Sequence, residues 1–154
     1  MGSRAWARMV AVAIAVIALD QITKALLRNS IERGGSEDVI FGIRFVNVRN
    51  TGVAFSSLQG AGALIGIIVA VALIGLLWYF SRNVGKPLIW LPTGMLLGGA
   101  LGNVIDRVRE GAVVDFIKVF DFWPAFNVAD ISVTLGVLLL LWVMERSSAP
   151  QRHG

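Results

Sequence analysis

Residues 61 to 80, AGALIGIIVAVALIGLLWYF, run for 20 positions without a charge. That feature constrains the fold more than any other. At 1.5 Å per residue a helix of this length matches the roughly 30 Å hydrocarbon core of a bilayer. Lipid offers no partner for backbone N–H and C=O groups, so such a run must close its hydrogen bonds internally as a helix. Trp78 and Tyr79 at its end read as interfacial anchors.

Three more stretches are apolar over comparable lengths, giving spans at about 9–27, 61–80, 88–105 and 127–144. The expected fold is an all-α membrane protein, a single integral membrane domain of 1–154 with four transmembrane helices. The first stretch has basic residues ahead of an apolar run, as a secretory leader does, but its helical pattern continues past Asp20 and is read as a span. Hydrophobic residues make up 56% of the chain and charged ones 16%, against roughly 25% in soluble domains, with a mean hydropathy of +0.73. The net charge of +4 does not point to nucleic acid, because the basic residues form no run with interleaved aromatics. Anionic lipid is the simpler partner for a mildly basic membrane protein. There is no cysteine, and the single histidine, His153, lies in a polar tail, so chemistry must come from carboxylates, hydroxyls, amides, lysine or arginine.

Between the spans, VIFGIRFVNV is rich in β-branched and aromatic residues, and Gly34, Gly35 and Gly42 mark turns. A short surface hairpin over 39–48 is expected there. Asn50, Thr51 and Gly52 read as a turn before the second span. Pro92 is a candidate kink in the third span, and Gly94, Gly98, Gly99 and Gly102 offer a smooth face against which another helix can pack. Residues 106–126 are expected to form a loop over whatever lies at the membrane surface.

Four spans place both termini on one side and the connections 28–60 and 106–126 on the other. Asp20 and Lys24 end span one, Asn50 precedes span two, Asn103 and Arg107 end span three, and Asn127 and Asp130 begin span four. All of these polar residues therefore converge near one membrane face, which points to one interfacial site. Counting bases leaves the orientation open: Arg4, Arg8, Arg82, Lys86, Arg146 and Arg152 lie on the terminal side, against Arg28, Arg33, Arg44, Arg49, Arg107, Arg109 and Lys118 on the other.

Asp115, in VVDFIKVF, and Asp130, at the mouth of an apolar helix, are both poorly placed for a charge. Two carboxylates that meet tend to share one proton. One can then deprotonate a water while the other polarises a carbonyl, the apparatus of aspartyl peptide hydrolysis. It requires no metal and no cofactor. Structural roles compete: Asn127 and Asp130 have capping-box spacing, Asp20 and Lys24 are four apart and can pair at the membrane surface, and Asp106 can pair with Arg107 or Arg109.

ALDQITK (18–24), NTGVAFS (50–56), GGALGNVIDR (98–107), VVDFI (113–117) and FNVAD (126–130) resemble, in this order, the signature blocks of the lipoprotein signal peptidase, or signal peptidase II, family. The resemblance implies that Asp115 and Asp130 are a catalytic dyad, that Asn50, Gly52, Asn103, Arg107 and Asn127 line or support the site, and that Asp20 and Lys24 lie near its rim. It implies a bacterial inner-membrane endopeptidase, without cofactor and expected to be monomeric. Its substrates would be diacylglyceryl-modified prolipoproteins, cut just before the lipidated cysteine, and its inhibitors peptides of the globomycin type. It also implies cytoplasmic termini and a site toward the outer face, with substrate entering sideways beside the helix smoothed by Gly94 to Gly102, the hairpin as cradle, the 106–126 loop as flap, and Phe122 and Trp123 at headgroup level. The main alternative is a small transporter or proton relay using Asp20, Lys24, Asp106, Arg107 and Asp130. Spans two and three are bare until their site-side ends, which disfavours it. A non-catalytic assembly subunit, packing on its glycines and using the aspartates as caps, is the third reading.

Overall fold

A computed structural model describes residues 2–51 and 61–148. Four helices and three strands follow in the order α1 (Gly2–Ser30), β1 (Ser36–Ile40), β2 (Ile43–Asn50), α2 (Ala61–Asn83), α3 (Trp90–Glu110), β3 (Val113–Val119) and α4 (Val128–Ser148). Three segments are long and apolar enough to cross a membrane: Gly2–Ser30, Gly66–Asn83 and Val128–Arg146. The expected third span differs. Its helix continues five residues beyond Ile105 through Asp106, Arg107, Arg109 and Glu110, and those charges, with Thr93 and Asn103, lower its hydropathy.

A reason for tolerating polar groups there is that α3 sits between α1 and α4 and packs against both. The packing runs along its glycines. A methyl group on Gly94 would stand 2.6 Å from the Met9 carbonyl oxygen, and one on Gly98 would stand 2.7 Å from that of Ala13. On Gly99 it would meet the Ala129 carbonyl at 2.6 Å, so one face of α3 meets α1 and an adjoining one meets α4. The smooth face expected from the sequence is therefore closed by neighbouring helices and opens no path for a substrate. Pro92 does not kink a helix interior. It lies in the first turn of α3, where a missing N–H costs nothing.

The segment 106–126 is mostly ordered structure rather than a loop. Its first residues finish α3, which stops on Gly111 at φ 71°, with the Gly111 N–H donating to the Arg107 carbonyl. The chain then enters β3, which joins the hairpin in an antiparallel sheet of order β1-β2-β3. The hairpin, Ser36–Ile40 against Ile43–Asn50, is longer than the sequence suggested. Its two-residue turn holds Phe41 at φ 40° and Gly42 at φ 78°, the left-handed pair that suits the twist of a tight hairpin. After β3 the chain folds back, and Phe126 and Ile117 exchange backbone hydrogen bonds at 2.9 Å. That return sets the start of α4 beside the middle of β3.

Replacing Gly98 with leucine should force α1 and α3 apart. A loss of about 1–3 kcal/mol is expected from overpacking. It would be read as a lower thermal midpoint in detergent, and an unchanged midpoint would contradict this packing.

Candidate active site

Asp115 lies in the strand β3 and Asp130 in the first turn of α4, and the fold brings their surroundings together. In the β2–β3 register Asn50 faces Val113 and Val48 faces Asp115, which makes Asn50 and Asp115 diagonal neighbours on one face. Asn50 Nδ2 accordingly donates to Asp115 Oδ2 at 2.9 Å. The other carboxylate oxygen, Oδ1, accepts from Asn127 Nδ2 at 2.8 Å.

Asn127 is also the cap of α4. Its Oδ1 accepts from the Asp130 N–H at 3.0 Å, while its own N–H donates to Asp130 Oδ2 at 3.2 Å. This is the reciprocal capping arrangement expected from the spacing. The capping role and the site role thus belong to the same residues. Asp130 Oδ1 takes a further bond from Asn103 Nδ2 at 2.8 Å, and Asn103 Oδ1 accepts from Asn127 Nδ2 at 3.2 Å. Both carboxylates are therefore oriented by neutral amides, three of them asparagine side chains.

Burial is the main reason the Asp115 carboxyl is pushed up from its ordinary 3.8 to about 6. The Asp130 charge adds to the rise, while the amides of Asn50 and Asn127 and the more distant Lys24 ammonium oppose it. A group so placed keeps its proton into the mildly acidic range, which suits the protonated half of a shared pair.

A second polar layer lies behind the first. Lys24 Nζ sits 2.7 Å from both Asp20 Oδ2 and Asp106 Oδ2, and side-chain exposure of these three residues is between 0% and 3%. Asp20 and Lys24 therefore neither snorkel to the surface nor border the site. They are interior, and they reach Asp115 and Asp130 indirectly. Lys24 Nζ donates to Asn103 Oδ1 at 3.2 Å. Asp20 Oδ1 accepts from the Ala129 N–H at the start of α4 at 2.9 Å, and Asp106 Oδ2 accepts from the Val114 N–H beside Asp115 at 3.1 Å. Gln21 closes the cluster, donating to Asp106 Oδ1 at 2.9 Å and to Asp20 Oδ2 at 3.2 Å. Gly102 makes room for it, since a methyl group there would lie 2.9 Å from Asp20 Oδ2.

From the sequence Asp106 can pair with Arg107 or Arg109, and it is not among the site residues that the resemblance implies. One signal pointed the other way: Gly94, Gly98, Gly102 and Asp106 recur every four residues, so Asp106 shares the face of α3 that meets α1. Gln21 carried no such signal. Arg107 is exposed and donates to the Asn103 carbonyl at 3.3 Å rather than to either aspartate. Gly52 lies outside the described residues. Among the described residues, no group of three or more His, Cys, Asp or Glu side chains is arranged to hold a metal ion.

Asp130 opens onto a groove of about 390 Å³ whose remaining walls are Trp123, Phe126, Ile131, Thr134 and Leu135. Ile131 and Leu135 belong to the outward face of α4. The arrangement offers the Asp130 carboxylate at the end of an apolar trough.

Comparison with known proteins places relatives of one family beside this chain. A family model described as Signal peptidase (SPase) II matches residues 12–146. A lipoprotein signal peptidase of Halothermothrix orenii is 40% identical over 139 residues, covering 88% of this chain and 95% of the relative. One from Nitratidesulfovibrio vulgaris is 38% identical, covering 91% and 90%. A bacterial membrane enzyme structure determined by the in meso method at 1.9 Å resolution superposes with a TM-score of 0.82 at 34% identity, covering 88% of this chain and 91% of that one.

Lys24→Met should be costly, because it leaves two buried carboxylates unpaired. A loss of about 3–5 kcal/mol is expected from breaking a buried ion pair on one side. Adding Asp20→Asn and Asp106→Asn should return part of it, as measured by thermal unfolding in detergent. No recovery in the triple variant would argue against the cluster.

Proposed function

The chain belongs to the signal peptidase II family and is a membrane protease that removes signal peptides from prolipoproteins, and we propose that Asp115 and Asp130 are the carboxylate pair that cuts them. The observation that carries this assignment is the shared amide scaffold, in which Asn127 holds Asp115 through its side chain while capping the helix that presents Asp130. Asn50 and Asn103 take supporting roles on the same ground.

The chemistry follows from the two environments. Asp115 begins protonated and Asp130 charged. Asp130 takes a proton from a water whose oxygen bonds to the scissile carbonyl carbon, and Asp115 donates its proton to the carbonyl oxygen. The tetrahedral intermediate then collapses. Asp130 passes its proton to the leaving amine nitrogen as the C–N bond breaks, and Asp115 recovers one from the intermediate's hydroxyl, restoring the starting state.

The substrate assigned to this site is a prolipoprotein bearing a diacylglyceryl group on the cysteine after the cut. Its apolar segment would arrive from the lipid side along Ile131 and Leu135 into the groove beside Trp123 and Phe126, a route on α4 rather than on the glycine face of α3. A globomycin-type peptide would compete for the same groove. The exposed, stacked rings of Phe120 and Phe122, 5.7 Å between centroids, together with exposed Trp123, suit headgroup depth.

We assign the chain four spans. The 21 residues of α3 reach about 30 Å, and α1 and α4 shield its polar side. The dyad end is placed at the outer face of the bacterial inner membrane and the termini in the cytoplasm. Membership of the signal peptidase II family is what supports this orientation, since counting bases leaves it open.

Asp115→Asn and Asp130→Asn should each lower prolipoprotein cleavage by at least about 10²–10⁴-fold, with the thermal midpoint retained. A gel-shift assay in detergent reads it, and full activity in either variant would overturn the dyad. The pH profile gives a separate check. Loss of the shared proton predicts an alkaline limb of kcat/KM near pH 6. Asn50→Ala removes a bond to the charged form of Asp115 and should move that limb to higher pH. A limb that stays put or moves down would contradict the assignment of the proton to Asp115.

A further inference from the structure

The end of the bundle away from the dyad is built from bases laid on aromatic rings. Arg8 lies over Trp90, Arg82 over Trp78, Lys86 over Tyr79 and Arg146 over Trp142, at 5.6, 5.9, 5.9 and 4.1 Å from the ring centroids. These residues come from the start of α1, the end of α2, the turn into α3 and the end of α4. All four helix ends gather there around Met9, Phe80, Ile89 and Val143. Among the described residues this end holds five bases, Arg4, Arg8, Arg82, Lys86 and Arg146, against one acid, Glu145, and none of the five makes an ion pair. The dyad end is different. There Lys24 pairs with Asp20 and Asp106, Arg28 and Arg49 both pair with Glu110, and Arg44 pairs with Asp121, while Arg33, Arg107, Arg109 and Lys118 make no ion pair among the described residues but stand among an excess of acids, nine against eight bases in all. Net positive charge is thus concentrated at the terminal end.

One of the four pairs borders a groove. Pro87, Leu88, Trp142 and Val143 wall a space of about 270 Å³, with Arg146 as its one charged wall. Leu88 stands half-exposed in it at φ 62°, a left-handed backbone that is uncommon for a leucine and that turns the chain between α2 and α3. The character of the walls selects an occupant. A water-soluble anion would find a single charged side chain among mostly apolar walls, and a peptide strand would leave backbone groups unmet against them. An acyl chain loses nothing there, and a phosphate suits a guanidinium seated 4.1 Å above an indole.

We propose that this groove binds one anionic phospholipid, with its phosphate on Arg146 and an acyl chain against Pro87, Leu88 and Val143. The stacked pairs of Arg8, Arg82 and Lys86 hold the surrounding headgroups less selectively. The proposal needs only that the helices lie in a bilayer, and it is independent of which residues cut the substrate.

The test is native mass spectrometry of the purified full chain in neutral detergent, titrated with phosphatidylglycerol or with phosphatidylcholine of the same acyl chains. The intact protein should retain phosphatidylglycerol preferentially, and inorganic phosphate should not displace it. Arg146→Gln should lower that retention about fivefold while leaving phosphatidylcholine unchanged. Arg33→Gln, which removes an exposed base at the dyad end, should leave both unchanged. Cleavage in neutral detergent should persist in Arg146→Gln, which separates failure of this site from failure of the dyad. If Arg146→Gln does not fold, Arg146→Lys carries the test: it keeps the charge, loses the planar fork and should retain phosphatidylglycerol less well than the parent. Equal retention of the two lipids overturns the proposal. So does retention unaffected at position 146, or retention lowered as much by Arg33→Gln.

Discussion

A lysine ammonium held between two carboxylates, with all three shut away from water, is the contact on which the active end depends. Lys24 sits 2.7 Å from Asp20 and from Asp106. Desolvating three charges is expensive, and one cation cannot neutralise two anions. The remainder is met by backbone N–H groups: Asp20 accepts from Ala129 and Asp106 from Val114. These donors are the first turn of α4 and the start of β3, the two segments that carry Asp130 and Asp115. The cluster therefore cannot relax without moving Asp115 and Asp130, and it lies one layer behind them.

What reaches the dyad itself is neutral. Asparagine amides fill the hydrogen-bonding positions around both carboxylates, while the nearest cation touches Asn103 instead. A lysine or arginine directly on Asp115 would hold its carboxyl ionised. Burial does the opposite. Strong charge lies in the layer behind, and weak dipoles face the two carboxylates. The far end follows a third rule, placing its bases on aromatic faces and leaving their charge available to the membrane.

The helical class, the membrane setting and the convergence of polar residues on one end follow from uncharged runs and their order, because lipid-length apolar segments have few structural solutions. The capping pair Asn127 and Asp130 was legible for a similar reason, being local in sequence. The extent of β3 was not. VVDFIKV is a short apolar run, and only pairing with β2 and the return at Phe126 make it a strand rather than part of a loop. Asp20 and Lys24 were legible as a pair but not as buried. Nothing in their spacing says that a third charge, Asp106, will arrive from α3.

The sequence by itself determined that this chain makes helices of membrane length, carries two aspartates where charge is unwelcome, and belongs with proteins sharing five ordered blocks. Only the tertiary structure decided which residues touch those aspartates and which stand behind them. It also decided that the glycines of α3 close a helix interface and that the groove opens along α4. The physical reason is range. Helix length, capping and hydropathy are set by neighbours a few residues apart, whereas a buried ion triad and a strand pairing are set by groups more than 60 residues apart in the chain, whose meeting depends on how the whole bundle packs.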